Sequence, residues 1–371
     1  MKVIETNGKG EKNNNILDEK RNKDNNAEAD NEIFDVAIIG GGFAGLSAAL
    51  LLGRYLRPTI IFDVKRPKKG QIHGYLGFEK SPREELVQKS WMDVLQYNSI
   101  KKTDCEVEKV ERDFESNLFS ITTKNTANDG KDQSDARKRK AKSRYLIIAT
   151  GINHQKPSIR NFEEYYGNGI WHCPHCDGFE ATNKKLVIIA SGNNKDESLD
   201  YAKLFLGWTK DITLFLQRIE NKDNDVWERD VKKISQIDDK QRNEAMTLEF
   251  NVIENDYVVE IIGDAKTNGI KGVITKRNDF YEADVLFYHF DKVIRNEIAV
   301  QLGCELDEGY IKVNEKQQTS VPNVYAAGDI DTDRHYAILA AASGSLAAIT
   351  IYEELLKDAI KSKKVESQNQ H

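Results

Sequence analysis

The run Ile33-Phe34-Asp35-Val36-Ala37-Ile38-Ile39 passes directly into Gly40-Gly41-Gly42-Phe43-Ala44-Gly45. A short, mostly apolar run ending in glycine fits a buried parallel strand. Leu46-Ser47-Ala48-Ala49-Leu50-Leu51-Leu52 then reads as a helix of small residues, and Thr59-Ile60-Ile61-Phe62 as a second strand ending at Asp63, 23 positions after the first glycine. This strand–turn–helix–strand order suits a dinucleotide. Gly40 permits the tight turn, Gly42 lets the backbone approach a pyrophosphate, and Gly45 allows close helix–strand packing. The helix N-terminus offers free N–H groups and a positive dipole end to phosphate. Asp63 would accept hydrogen bonds from a ribose. The unit by itself does not distinguish FAD from a nicotinamide.

The plan recurs. Lys185-Leu186-Val187-Ile188-Ile189-Ala190-Ser191-Gly192 repeats the strand-to-turn pattern, followed by a predicted helix over about 196–207 and the strand Ile212–Leu216. Between the two units, residues 83–97 carry Leu86, Val87, Trp91, Val94 and Leu95 at helical spacing, and strands are predicted around 104–123. Tyr145-Leu146-Ile147-Ile148-Ala149-Thr150-Gly151 is another buried strand reaching a glycine turn. Later strand signals fall at 246–262, 270–276 and 284–288. Val324–Ile330 ends a strand in Gly328-Asp329, and a small-residue helix is predicted from Ala337 to about Leu356. Two strand–helix–strand copies with a shared closing segment predict an α/β chain of two doubly wound, Rossmann-like domains.

Composition bounds the function. The chain has 371 residues, 39% apolar, with a formal charge of −6 and a pI near 5.8, which argues against general nucleic-acid binding. No membrane span of about 20 apolar residues is expected, and the polar first 32 residues leave no signal peptide. Those residues hold eight asparagines and no aromatic side chain, so a disordered tail is expected. A polar insertion, roughly 124–144, carries Arg137-Lys138-Arg139-Lys140. It reads as a solvated hairpin loop or as a docking patch for an acidic partner. With four cysteines, two of them three positions apart, the chain is expected to be cytoplasmic and the pair redox-active or metal-binding.

That pair lies in Trp171-His172-Cys173-Pro174-His175-Cys176-Asp177-Gly178. Its spacing lets the thiols close into a small disulfide ring and reopen, moving two electrons. His175, if protonated, would stabilise a thiolate. Zinc is the competing reading for His172, Cys173, His175 and Cys176, but no second ligand pair accompanies them. Cys105 and Cys304 read as buried small apolar residues.

Together GGGFAGLSAA, IIATG, CPHCDG and YAAGDI, in that order, resemble the low-molecular-weight FAD-dependent thioredoxin reductases, over roughly residues 33–357. The resemblance implies a homodimer and a discontinuous FAD domain, about 33–154 plus 290–357. A nicotinamide-type domain carrying the cysteine pair, 155–289, would be inserted in it, with 358–371 a tail. It implies that Gly40, Gly42, Gly45 and Asp63 hold the adenosine and pyrophosphate half of FAD, and that Thr150 and Gly151 line the cofactor. Gly328-Asp329 would bind the ribityl or phosphate region, and Ala337-Ile338 would present backbone to the isoalloxazine. Cys176 would be the charge-transfer thiol, Cys173 the interchange thiol and Asp177 the acid–base group.

Three segments depart from the family. The second glycine turn reads Ala190-Ser191-Gly192-Asn193-Asn194-Lys195, the 2′-phosphate site Leu216-Gln217-Arg218, and a third segment Tyr288-His289-Phe290. NADPH use is therefore in question. The loop Arg66-Pro67-Lys68-Lys69-Gly70-Gln71-Ile72-His73-Gly74-Tyr75-Leu76-Gly77 is instead similar to that of the gliotoxin- and holomycin-type dithiol oxidases, which pass electrons from flavin to dioxygen. His73 reads equally as a flavin-side contact or a loop hydrogen-bond partner. His335-Tyr336 replaces the family's flavin-contacting Arg-Gln. The expected activity is FAD-dependent thiol–disulfide exchange with a thioredoxin-like protein or a small dithiol or disulfide, independent of nicotinamide. The alternatives are an NADPH-dependent thioredoxin reductase and a non-enzymatic flavin redox sensor.

Overall fold

In a computed structural model of the chain, residues 32–64, 69–124, 140–217, 237–264, 267 and 269–368 are described. The expected tail (except Glu32), Arg66-Pro67-Lys68, Arg137-Lys138-Arg139 and Arg218 lie outside the described residues.

The first unit comprises β1 (Ile33–Ile39), α1 (Phe43–Arg54) and β2 (Thr59–Phe62). After the short β3 (Gln71–Ile72) and β4 (Ser81–Pro82) come α2 (Arg83–Leu95) and β5 (Ile100–Thr103). β6 (Val107–Asp113) and β7 (Leu118–Thr123) lead to β8 (Lys140–Ile148) and β9 (Ile152–His154). The sheet runs β5-β2-β1-β8 in parallel and continues antiparallel through β7 and β6.

The second unit repeats that order. It holds α3 (Phe162–Tyr165), β10 (Ile170–Trp171), α4 (Pro174–Asp177), β11 (Leu186–Ser191), α5 (Lys195–Lys203) and β12 (Ile212–Gln217). α6 (Asp239–Thr247), β13 (Asn251–Ile253), β14 (Val258–Asp264), β15 (Gly269–Thr275), β16 (Phe280–Glu282) and β17 (Val285–His289) follow. Its parallel sheet is β13-β12-β11-β17-β10, with β14-β15-β16 forming a separate antiparallel sheet. The chain then returns: β18 (Lys292–Ile294) pairs with β9. α7 (Glu297–Leu302), β19 (Leu306–Asp307) and β20 (Tyr310–Ile311) precede β21 (Val324–Ala326), which lies parallel to β8. The last element is α8 (Ala337–Gln368). The protein is thus an α/β chain with two Rossmann-like parallel sheets.

β11 is buried at every position and β1 at all but Ile33 and Asp35, as expected for strands covered on both faces. Each fully buried Ile, Leu or Phe in them stabilises the fold by about 1.5–3 kcal/mol. α8 packs across α1 with Ala347, Ala348, Ile351 and Leu355 buried. The crossing is close because Gly344 has no side chain: a Cβ there would lie 2.0 Å from the Ala44 carbonyl oxygen.

Four expectations are corrected. Residues 239–247 form a helix where a strand was predicted from 246; a capping box between Asp238 and Gln241 starts it, and only Ala245 is buried. β8 begins at Lys140, inside the expected insertion, because Ala141 and Ser143 alternate inward while Lys140 and Lys142 face out. α8 runs to Gln368 rather than ending near Leu356, so most of the expected 358–371 tail is helical. Finally, Ala337–Lys364 is long and apolar enough, by length and composition, to cross a membrane, against the expectation of no such segment. Its alanine-rich face packs on α1, which is what those small residues accomplish here.

Candidate functional site: a disulfide beside a cavity

β10 delivers the redox segment. Its pairing with β17 ends at Trp171, opposite Phe287, and the chain turns into the short helix α4. Cys173 is the N-cap and Pro174 the first helical residue, whose fixed φ suits that position. Cys173 and Cys176 form a disulfide. The Cys176 N–H donates to Cys173 Sγ at 3.1 Å, a contact that would stabilise negative charge on the sulfur after reduction. Gly178 must be glycine, since a Cβ would lie 2.5 Å from the Trp208 ring. His175 is exposed on this turn.

Asp177 is buried. Burial pushes its carboxyl up to about 7, with His73 pulling the other way and Glu180 adding to the rise. A carboxyl poised near neutrality is suited to exchanging protons with a thiol. His73 is held within its loop, with Nδ1 2.7 Å from Glu79 Oε1. Its Nε2 faces Asp177 Oδ1 at 3.9 Å.

The disulfide and Asp177 line a cavity of about 560 Å³, shared with Gln71, Arg83, Tyr201 and Tyr336. Five of the seven histidines, 154, 172, 175, 289 and 335, also line it. His154 packs against His172 with ring centroids 4.0 Å apart and planes tilted by 40°, and approaches His335 at 5.9 Å. Burial holds His335 below the usual imidazole range. Arg83 and His154 are missed by sequence reasoning, because isolated cations and imidazoles carry no local pattern. Arg83 starts α2, its guanidinium 5.3 Å from the Phe43 ring centre, and burial lowers its pKa against the opposing charge of Asp329. Among the described residues no group of three or more His, Cys, Asp or Glu is placed to hold a metal ion.

A second cavity of about 210 Å³ is lined by Gly40, Asp63, Thr150 and Arg295. Gly40 has φ +115°, and a Cβ there would lie 2.2 Å from the Ala149 oxygen. At Gly42 a Cβ would meet nothing within 4 Å, so the helix end is open. α1 has neither a side-chain cap nor an acid in its first turn, and the Gly41 N–H donates to Asp63 Oδ1 at 3.0 Å. Thr150 Oγ1 donates to the Arg295 carbonyl at 2.6 Å, and Gly151 has φ +68°. Gly328 turns at φ +86°, packed against Ala44; Asp329 acts electrostatically on Arg83. Ala337 and Ile338 begin α8. An open, uncapped, acid-free helix terminus is the chemistry a pyrophosphate requires, so Gly40, Gly42, Gly45 and Asp63 fit the adenosine and pyrophosphate half of FAD.

Residues 34–345 match the family described as pyridine nucleotide-disulphide oxidoreductase. The chain belongs to that family. It is 27% identical to the thioredoxin reductase of Listeria innocua over 345 residues, covering 90% of this chain and 98% of the relative. TrxB from Bacillus anthracis is 27% identical with a TM-score of 0.71, covering 88% of this chain and 99% of that one. HlmI shares the fold at TM-score 0.75 and 23% identity, over 93% and 99% of the two chains. Family membership implies FAD and makes the protein a thioredoxin reductase-like oxidoreductase acting on sulfur groups.

The second glycine turn differs from the first. Asn194 caps α5, its side chain accepting from the Glu197 N–H at 3.2 Å. Asp196 and Glu197 occupy the first turn. Lys195 is buried, with Nζ 3.3 Å from Glu254 Oε1. Gln217 is buried as well, accepting from the Val258 N–H.

Proposed function

We propose that the protein is an FAD-dependent thiol–disulfide oxidoreductase that works without a nicotinamide. In this reading Cys173 exchanges with a small dithiol or a thioredoxin-like protein, Cys176 faces the flavin, and Asp177 carries the proton. Gly40, Gly42, Gly45, Asp63, Thr150, Gly151, Gly328, Asp329, Ala337 and Ile338 hold the cofactor, which when bound supplies a two-electron acceptor. The division into an FAD domain (33–154 with 290–357) and an inserted domain (155–289) belongs to the same reading.

The observation that carries it is the filled helix end at Asn194. A pyrophosphate arriving there meets a satisfied N–H and the carboxylates of Asp196 and Glu197 rather than a free positive terminus. The second reading, an NADPH-dependent thioredoxin reductase, is favoured by the parallel sheet order that the second unit retains. The test is turnover of dithiothreitol with dioxygen in the absence of any nicotinamide. Oxygen uptake by the wild type, abolished in Cys173→Ser and Cys176→Ser, is expected. Turnover that requires NADPH would favour the second reading.

The protein also forms a homodimer in this account. Leu339, Leu346, Ile349, Leu356 and Ile360 are exposed along one stripe of α8, an apolar face suited to a second copy. Leu346→Glu should convert a dimer to a monomer in light scattering; a wild-type monomer would refute it.

A further inference from the structure

Beside the disulfide, three side chains run from a buried carboxyl through a buried imidazole to an exposed carboxylate. Asp177 lines the cavity and His73 does not. The side chain of Asp177 is 11% exposed, that of His73 10% and that of Glu79 55%. Glu79 grips the loop at two points, His73 Nδ1 at 2.7 Å and the Gly74 N–H at 2.9 Å. Those two contacts hold the Glu79 carboxyl below the usual carboxylate range. Gly74 has φ +67°, and a Cβ there would be 3.9 Å from the Tyr336 ring, so the loop rests on a cavity residue.

The hydrogen bonds set a direction. An ionised carboxylate only accepts, so Nδ1–H donates to Glu79 and Nε2 is the ring nitrogen that faces Asp177. The 3.9 Å separation is longer than a hydrogen bond. Such contacts are often long in free enzymes and tighten when substrate binds.

We propose that Asp177, His73 and Glu79 form a proton relay that connects the Cys173–Cys176 centre to solvent, with His73 and Glu79 as positioning and proton-carrying residues behind Asp177. The proposal rests on the thiol–disulfide reading above. For a dithiol substrate the balance is explicit. One substrate thiolate attacks Cys173 Sγ, the Cys173–Cys176 bond breaks, and Cys176 leaves as a thiolate. The second substrate sulfur closes on the first, releasing Cys173. The substrate loses two electrons and becomes a cyclic disulfide, and the cysteine pair gains them. Of the two substrate protons, Cys173 keeps one and the other must depart. Asp177 takes it, passes it to His73 Nε2 as Nδ1–H moves to Glu79, and Glu79 yields it to water. Disulfide reduction runs the same path inward.

The charges facing the relay are few. Asp177 faces His73, Glu180 and Tyr201; Glu79 faces His73 and Lys80. A His73 ring that carries the relayed proton pulls the Asp177 carboxyl down, so removing the ring lets that pKa rise.

The experiment follows flavin absorbance of the holoprotein under anaerobic mixing with dithiothreitol, across the neutral pH range. Iodoacetamide alkylation of the reduced cysteine pair serves as a readout independent of flavin. His73→Ala is expected to slow reduction about 10²-fold and to move the acidic limb of both profiles to higher pH. Added imidazole should restore the rate. Glu79→Gln keeps an acceptor for Nδ1–H but takes no proton, so a smaller loss in the same direction is expected. That exposed substitution decides the matter if His73→Ala fails to fold. Wild-type rates and pH profiles in Glu79→Gln and in any folded His73→Ala, with Cys173→Ser inactive, overturn the relay alone. A wild-type flavin that no dithiol reduces overturns the thiol–disulfide reading and the relay with it.

Discussion

The turns at Gly40–Gly45 and Ala190–Lys195 stand at the same place in two sheets that share a four-strand parallel core, and their helix termini differ in charge and access. At the first, α1 begins without a cap or an acid, and the space over Gly42 is open. At the second, Asn194 caps α5, Asp196 and Glu197 add negative charge, and Lys195 buries an ion pair with Glu254. A shared backbone plan therefore does not imply a shared ligand. The few residues at the helix end decide whether the positive terminus is offered to a phosphate or used up internally.

Breaking the first turn should have the largest consequence. Gly40→Ala forces a side chain into a φ of +115° against the Ala149 carbonyl, at about 3 kcal/mol of strain. The purified protein should lose its flavin absorbance; full retention would contradict the assigned role. At the second turn, Lys195→Met leaves the buried Glu254 carboxylate short of a partner, with Arg242 at 3.5 Å remaining. A loss of about 3 kcal/mol in urea unfolding is expected, with flavin retained.

Asn194→Ala removes the cap, and about 1 kcal/mol of stability should go with it. Paired with Asp196→Ala, it uncovers the helix end. NADPH binding detected by calorimetry in the double variant, and absent in wild type, would locate the block there.

A further effect is expected on pH dependence. Burial raises both Asp177 and Asp331 to about 7, with Asp329 adding to Asp331. A raised carboxyl contributes stability that is full below its unfolded pKa and is lost as pH rises through the folded value. Tm should therefore fall as pH goes from about 5 to about 8, and fall less in Asp177→Asn.

Much of this is legible in the amino-acid order, because the strands at 33–39 and 186–191 and the glycine turn are local patterns. The damage at Ala190 and Lys195 is legible too. That Asn194 caps α5 is not, since a cap is a matter of backbone geometry and asparagine suits a loop equally well. The pairing of His73 with Asp177 joins residues 104 positions apart, and no local period announces it. α6 escapes because Ala245 alone is buried, leaving no apolar stripe. Lys140 and Lys142 conceal the start of β8 because a charge run masks the inward alternation of Ala141 and Ser143.

The most direct test of the contrast between the two turns is anaerobic mixing of the holoprotein with NADPH, then NADH, then dithiothreitol, following flavin absorbance. The flavin should stay oxidised with both nicotinamides and bleach with the dithiol. Rapid bleaching at micromolar NADPH would contradict the account.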